Sequence, residues 1–208
     1  MALPYPPVLV ITDRIQCAEP LEVRAVALFR GGCRWLSLRE KDIAPADRRS
    51  LLERLVAIAQ PFNATVGVHD DLHAALACNV AMHLPSASDT AAAQRALRPG
   101  WLIGKSCHSQ ADVIAAVNDG VDYVTLSPFF PTASKPDYRS DLDRATLNRI
   151  VTEAALPVLA LGGITLETLS ELRGSAVRGI AIMGEAMRTP DPEAWFGEIA
   201  ERFLEKGG

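Results

Sequence analysis

Eight short apolar runs pass along the chain at intervals of roughly 20 to 30 residues, and almost every one is followed at once by residues capable of chemistry. Residues 8–12 lead into Asp13 and Arg14, and residues 35–38 into Arg39 and Lys41. Residues 64–68 stop at His69, Asp70 and Asp71, and residues 81–84 at Pro85 and Ser86. Residues 102–104 lead into Lys105, Ser106 and His108, and residues 123–126 into Ser127 and then Lys135. The last two runs, 158–161 and 179–182, end in Gly162-Gly163 and Met183-Gly184. Runs of this length and content read as buried strands.

Helical periodicity fills the gaps. Leu51, Leu52, Leu55, Ile58 and Ala59 form one apolar stripe at helical spacing, and Pro61 stops it. Ser88-Asp89-Thr90 can cap a helix over 91–97 that closes at Pro99-Gly100, and Ser109 can cap one over 110–118 that closes at Gly120. Thr165 opens a helix expected to run through Leu172. Pro192-Glu193 opens the last, to Leu204, with Asp191 as its cap. Strands alternating with helices, with polar groups gathered just past the strand ends, predict an α/β fold: one (β/α)8 TIM barrel over 1–208, with its active site on one face. The longest irregular stretch, 128–140, is of a length that compact domains usually reserve for function.

Composition narrows the partners. A chain of 208 residues, 49% hydrophobic, can bury one substantial core. A net charge of −4 argues against a nucleic-acid binder and leaves a small molecule as the expected partner. No apolar run approaches a membrane span, and the first residues lack the pattern of a signal peptide, so a cytoplasmic location is expected. Cys17, Cys33, Cys78 and Cys107 have no metal-ligand spacing and read as reduced thiols. Nothing in the sequence sets the oligomeric state, and a homo-oligomer stays open.

Two places offer anion binding. Gly162-Gly163 and Gly184 permit close backbone approach at neighbouring strand ends, where barrels of this kind often hold a phosphate. Service in tight turns is the alternative reading of the same glycines. Arg39 and Lys41, two apart on an extended segment, can aim at one phosphate or carboxylate while Glu40 faces away. The alternative there is a solvated cluster with Glu40 and Asp42. Lys135 is either a cation that closes over the ligand or a surface lysine.

His108 follows the fifth run, where an imidazole would hang over the barrel mouth as a general acid or base. A hydrogen bond to its own loop would also account for it. Cys107 stands beside it at a helix start, with no neighbour in sequence that argues for thiol chemistry. His69 and Asp70 form a further polar pair, whereas His73 and His83 read as helix-surface and strand positions.

Five motifs carry a resemblance: Trp35-Leu36-Ser37-Leu38-Arg39-Glu40-Lys41, Met82-His83-Leu84-Pro85-Ser86, Ile103-Gly104-Lys105-Ser106-Cys107-His108-Ser109, the run from Asp122 to Lys135, and Leu159-Ala160-Leu161-Gly162-Gly163-Ile164-Thr165. In this order they resemble the signatures of the thiamine phosphate synthase / TenI superfamily, across nearly the whole chain. The resemblance implies a barrel that binds a thiazole phosphate; Gly162, Gly163 and Gly184 are expected to hold the phosphate, with Arg39, Lys41, His69, Ser106, Lys135 and Met183 as further substrate-binding residues.

Two activities share that scaffold. Synthases join a pyrimidine methyl diphosphate to a thiazole phosphate and release pyrophosphate; TenI-type proteins include thiazole tautomerases, which need no diphosphate. The chain departs from the synthase pattern. Ser37 stands for a Gln, His69 for an Asn beside a retained Asp70, and Gly184 for a Ser. The second magnesium carboxylate of synthases is expected just after residues 83–88, and here Asp89 comes one place late. These departures favour a TenI-like isomerase, with His108 moving a proton and no cofactor required. The alternative is a magnesium-dependent synthase, a transferase, with Mg2+ on Asp70 and Asp89. A non-catalytic protein that binds a thiazole phosphate is a third reading.

Overall fold

The computed structural model describes residues 2–96, 100–131 and 143–205. Eight strands, β1 (Val8–Ile11), β2 (Trp35–Leu38), β3 (Thr65–His69), β4 (Ala81–Leu84), β5 (Ile103–Cys107), β6 (Tyr123–Leu126), β7 (Val158–Leu161) and β8 (Gly179–Ile182), close in sequence order into a barrel. Each pairs with its neighbour in parallel, and β8 closes on β1 with Val8 opposite Ile180. Around them lie α1 (Leu21–Arg30), α2 (Pro45–Ala59), α3 (Leu72–Cys78), α4 (Thr90–Ala96), α5 (Gln110–Asn118), α6 (Arg144–Glu153), α7 (Gly184–Arg188) and α8 (Pro192–Glu205). The expected (β/α)8 barrel is present.

Why the strands read as unbroken apolar runs is plain from their two faces. Val8, Val10, Leu36, Leu38, Val66 and Val68 join a cluster that includes helix residues such as Leu28, Leu52 and Phe196. Leu9, Ile11, Trp35, Ala81, Leu102, Tyr123, Leu159 and Ala181 form a second cluster without any helix residue, which places them on the barrel axis. Both faces of a parallel sheet are covered, so alternation of apolar and polar residues is lost. Inside, Trp35 meets Tyr123 edge to face with centroids 4.8 Å apart. Gly104 lies opposite Tyr123 in the strand pairing, and a β-carbon there would stand 2.1 Å from the tyrosine ring.

Several boundaries moved from expectation. The fifth strand runs on to Cys107, so Lys105 and Ser106 belong to it rather than to the loop beyond. Lys105 points outward into the helix layer, where its ammonium meets Asp119 at 2.7 Å and the Thr90 hydroxyl at 3.1 Å. The second helix starts at Pro45, six residues before the apolar stripe, because its first turns are solvent-facing and carry no hydrophobic signal. Residues 168–172 form a 3-10 helix, shorter than the helix expected from Thr165, although the Thr165 hydroxyl does accept from the Thr168 N–H at 3.3 Å. Ser109 and Asp191 cap their helices as expected, accepting from Asp112 and Ala194 at 3.1 and 3.0 Å. At α4 it is Asp89 that accepts from the Ala91 N–H, at 2.9 Å. The expected end of that helix at Leu97, and most of the 128–140 loop with Lys135, lie outside the described residues.

Candidate active site at the barrel mouth

A cavity of about 540 Å³ opens at the carboxyl ends of the strands. It draws one or two residues from almost every strand end: Arg39 and Lys41, His69 and Asp70, Pro85 and Ser86, Ser106 and His108, Ser127, Gly162 and Gly163, Met183 and Gly184. Its size suits a small ligand. Of the residues singled out in the sequence, Asp89 does not line it, being occupied at the start of α4, and Lys135 lies outside the described residues.

His108 sits immediately past β5 in a fixed pose. Its backbone N–H donates to Asp112 at 2.8 Å, and its ring Nδ1 lies 2.9 Å from the Ser127 carbonyl oxygen. A carbonyl can only accept, so Nδ1 carries a proton, and the tautomer with a lone pair on Nε2 is the one this contact selects. The loop hydrogen bond that competed with a chemical role therefore exists, and it orients the imidazole rather than consuming it. Beside it, Cys107 is buried on the outer face of β5, and burial pushes its thiol up to about 12, which leaves no thiolate near neutral pH.

Below the mouth lies a polar chain that joins Ser37, His69 and Ser106, noted in the sequence, with His83 and Tyr123, which were not given a site role there. His69 Nδ1 is 2.9 Å from the Ser37 hydroxyl, and its ring lies 4.5 Å from that of His83. His83 in turn reaches Ser106 Oγ at 3.0 Å and the Tyr123 hydroxyl at 3.1 Å. Burial holds both imidazoles neutral: His83 is pushed down to about 3, and His69 well below the usual range, helped by His83, Arg39 and Lys41. His83 is thus part of the wall that orients Ser106. As a lone histidine within an apolar run it carried no signal of its own; only the inward register with Ser106 and Tyr123 reveals it.

The cations after β2 are separated from the acids beside them, Glu40 and Asp42. Glu40 is buried and turns back to accept from the Arg14 N–H, while Asp42 binds the Arg14 guanidinium at 2.7 and 2.9 Å. The salt-bridge cluster of Arg39 and Lys41 with Glu40 and Asp42 therefore does not form: the two acids pair with Arg14, and Arg39 and Lys41 line the cavity. Arg39 reaches across to Met183, with Nη1 3.9 Å from the sulfur.

At the ends of β7 and β8 the glycines have two roles. Gly162 and Gly163 adopt φ of +96° and +65°, and a β-carbon on Gly163 would stand 2.3 Å from the Pro131 carbonyl oxygen. The tight-turn reading is therefore correct for this pair, which packs against the segment after β6: Phe129 and Phe130 donate to Leu161 and Gly162 at 2.8 and 3.0 Å. The same turn leaves the N–H groups of Gly163 and Ile164 without a hydrogen bond among the described residues, and the Gly184 N–H is likewise open. Open donors in a cavity wall suit an anion. The helices behind them are short: α7 has five residues and the 3-10 helix also five, so neither supplies the full dipole of a long helix.

A divalent cation has a narrow donor set here. Asp70, exposed at the mouth with φ +53°, makes no side-chain hydrogen bond among the described residues. Magnesium binds well through one carboxylate when substrate phosphates and water complete its octahedron, and Asp70 fits that role. Among the described residues no three His, Cys, Asp or Glu side chains gather to hold a metal by themselves.

A closed parallel barrel with cations and open backbone donors at its mouth defines a protein of the (β/α)8 class. Residues 8–186 match the family model described as thiamine monophosphate synthase, and the chain belongs to that family. It is 32% identical over 176 residues to a thiamine-phosphate synthase of Methanoculleus marisnigri, covering 83% of each chain. It is 30% identical over 199 residues to that of Roseiflexus castenholzii, covering 92% of this chain and 87% of the relative. Among solved structures it is similar to a thiamine phosphate pyrophosphorylase from Pyrococcus furiosus, with a TM-score of 0.86 and 25% identity over 97% of this chain and 96% of the other. No helix among the described residues is long and apolar enough to cross a membrane.

Proposed function

We propose that the protein is a magnesium-dependent thiamine phosphate synthase, a transferase that joins a pyrimidine methyl diphosphate to a thiazole phosphate. The sequence relatives carry the synthase name, which supports the second of the two activities over the one suggested by the departures at Ser37, His69 and Gly184. The observation that carries the reading is that one cavity combines cations, Arg39 and Lys41, with open backbone donors at Gly163, Ile164 and Gly184. A reaction between two phosphorylated substrates needs both kinds of group. As a bond forms to the pyrimidine methylene, its bond to the diphosphate breaks and negative charge collects on the departing pyrophosphate. Arg39 and Lys41, with Lys135 as a further candidate, meet that charge, and the backbone donors hold the thiazole phosphate. Asp70 would hold magnesium, whose charge helps neutralise the leaving group when bound. Asp89 is left to its cap, so the site works with one carboxylate.

The decisive assay offers both substrates with magnesium and follows thiamine phosphate by mass spectrometry. Product that disappears with chelator, returns with Mg2+, and falls by about 10²-fold or more in Asp70→Asn supports the synthase. Absence of product with both substrates bound refutes it.

The fixed His108 tautomer favours a second reading, proton transfer on a thiazole phosphate, since its free Nε2 can accept a proton. Exchange of a ring-adjacent substrate proton with deuterated solvent, slowed by about 10²- to 10⁴-fold in His108→Gln, would establish that activity. Unchanged exchange in the variant would remove it.

A further inference from the structure

The wall of the cavity after β8 holds a cation that neither the strand-end pattern nor the family motifs include. Arg188, the last residue of α7, lines the mouth. Its guanidinium lies against Gly184: a β-carbon on that glycine would stand 2.5 Å from Nη1, 3.0 Å from Nη2 and 3.1 Å from Cζ. The fork is fastened from two sides, Nη1 donating to the Gln16 side chain and Nη2 to Glu185 Oε1 at 2.9 Å. Those two bonds occupy two of the five guanidinium N–H donors and leave the rest available. Glu185, the acid facing it, also lines the cavity and offsets part of its charge; Arg39, through its contact with Met183, is a second cation lining the cavity on that side, and Arg24 donates to the Ala186 and Thr189 carbonyls behind it.

A phosphate carries close to two negative charges near neutral pH, and open N–H groups alone supply only partial charges. The helices behind these donors are too short to add much. We infer that Arg188 is the charged partner of the phosphate group held at Gly163, Ile164 and Gly184, and that glycine at position 184 determines this specificity by admitting the guanidinium to the cavity wall. Any larger side chain at 184 must move it away. The inference rests on the phosphate reading given above. It assigns Arg188 a binding role, through a planar fork that a lysine would imitate only as a point charge.

Calorimetry with the thiazole phosphate and with the same thiazole as its free alcohol separates the possibilities. The wild-type protein should prefer the phosphate form strongly. Arg188→Gln should weaken the phosphate form by about tenfold or more, a typical loss for one charge-assisted hydrogen-bonding partner, and leave the alcohol within twofold. Arg188→Lys should fall between the two. Gly184→Ala should reproduce much of the Arg188→Gln loss, and the double variant should be little worse than Arg188→Gln alone, because both remove the same contact. In turnover the Arg188→Gln loss should appear in KM and not in kcat. Phosphate binding within twofold of wild type in Arg188→Gln, or fully additive losses in the double variant, would overturn the inference while leaving the phosphate site standing. A wild-type protein that does not distinguish phosphate from alcohol would instead overturn the phosphate site itself. Since Arg188 is about half exposed, a thermal midpoint close to wild type is expected and serves as the control for folding.

Discussion

Glu40 Oε1 accepts a hydrogen bond from the backbone N–H of Arg14 at 3.0 Å, and Oε2 a second from the Arg14 guanidinium at 3.3 Å. One buried carboxylate thereby ties the segment after β1 to the segment after β2. Its neighbours Arg39 and Lys41 are left to face the mouth. Glu40→Ala leaves the Arg14 N–H without its partner and should cost about 1.5–3 kcal/mol in urea denaturation. It should also raise KM for the diphosphate substrate more than it lowers kcat, because it loosens the cations without removing them. An unchanged KM would show that the tie serves stability alone.

His83 should make the fold acid-sensitive well above the carboxylate range. Burial pushes it down to about 3 from 6.5, so the unfolded chain takes up a proton that the folded one refuses. Its contribution is whole above about pH 6.5 and is lost as pH falls toward 3, with a slope approaching 1.4 kcal/mol per pH unit. His69, lowered for the same first reason, adds in the same direction. Denaturant midpoints measured from pH 7 to pH 4 should fall less steeply in His83→Gln than in wild type. Parallel curves would mean that His83 titrates normally in the folded state.

Tyr123 occupies the space that Gly104 vacates inside the barrel. Gly104→Ala should cost about 1–3 kcal/mol through overpacking, and Tyr123→Leu should return part of that loss when combined with it. Independent, additive effects in thermal unfolding would contradict the contact.

Lys105 and Asp119 should respond unequally to mutation. Lys105 is buried, whereas Asp119 is more than a third exposed. Asp119→Ala strands a buried ammonium beside the Thr90 hydroxyl and Ser88 carbonyl and should cost roughly 3 kcal/mol, toward the lower end for broken buried pairs. Lys105→Met replaces the ammonium with an apolar chain of similar length and should be near neutral. Equal losses, read by denaturant titration, would place the pair's weight on its charge attraction instead.

How much of this was readable beforehand depends on the kind of signal each residue leaves. The eight apolar runs, the Ser109 and Asp191 caps and the glycine turn at 162–163 are local patterns, set by neighbours in the chain, and they stand where expected. His108 and the Arg39/Lys41 pair were legible because strand ends in a parallel barrel converge on one face. By contrast His83, Lys105 and Arg188 were not. Whether a strand residue faces the axis or the helices depends on barrel closure, which turned His83 inward and Lys105 outward. Arg188 reaches the mouth because α7 is a single short turn and residue 184 has no side chain.

The sequence by itself determined the order and parallel sense of the strands, the glycine turn after β7 and the family, because repeated local patterns and motif order are written along the chain. Only the tertiary structure decided which acids stay at the mouth, which histidines share a buried chain and which arginine rests on Gly184. Those choices come from contacts between residues far apart in sequence, such as Glu40 with Arg14 and Arg188 with Gln16, and from the burial that closure imposes on them.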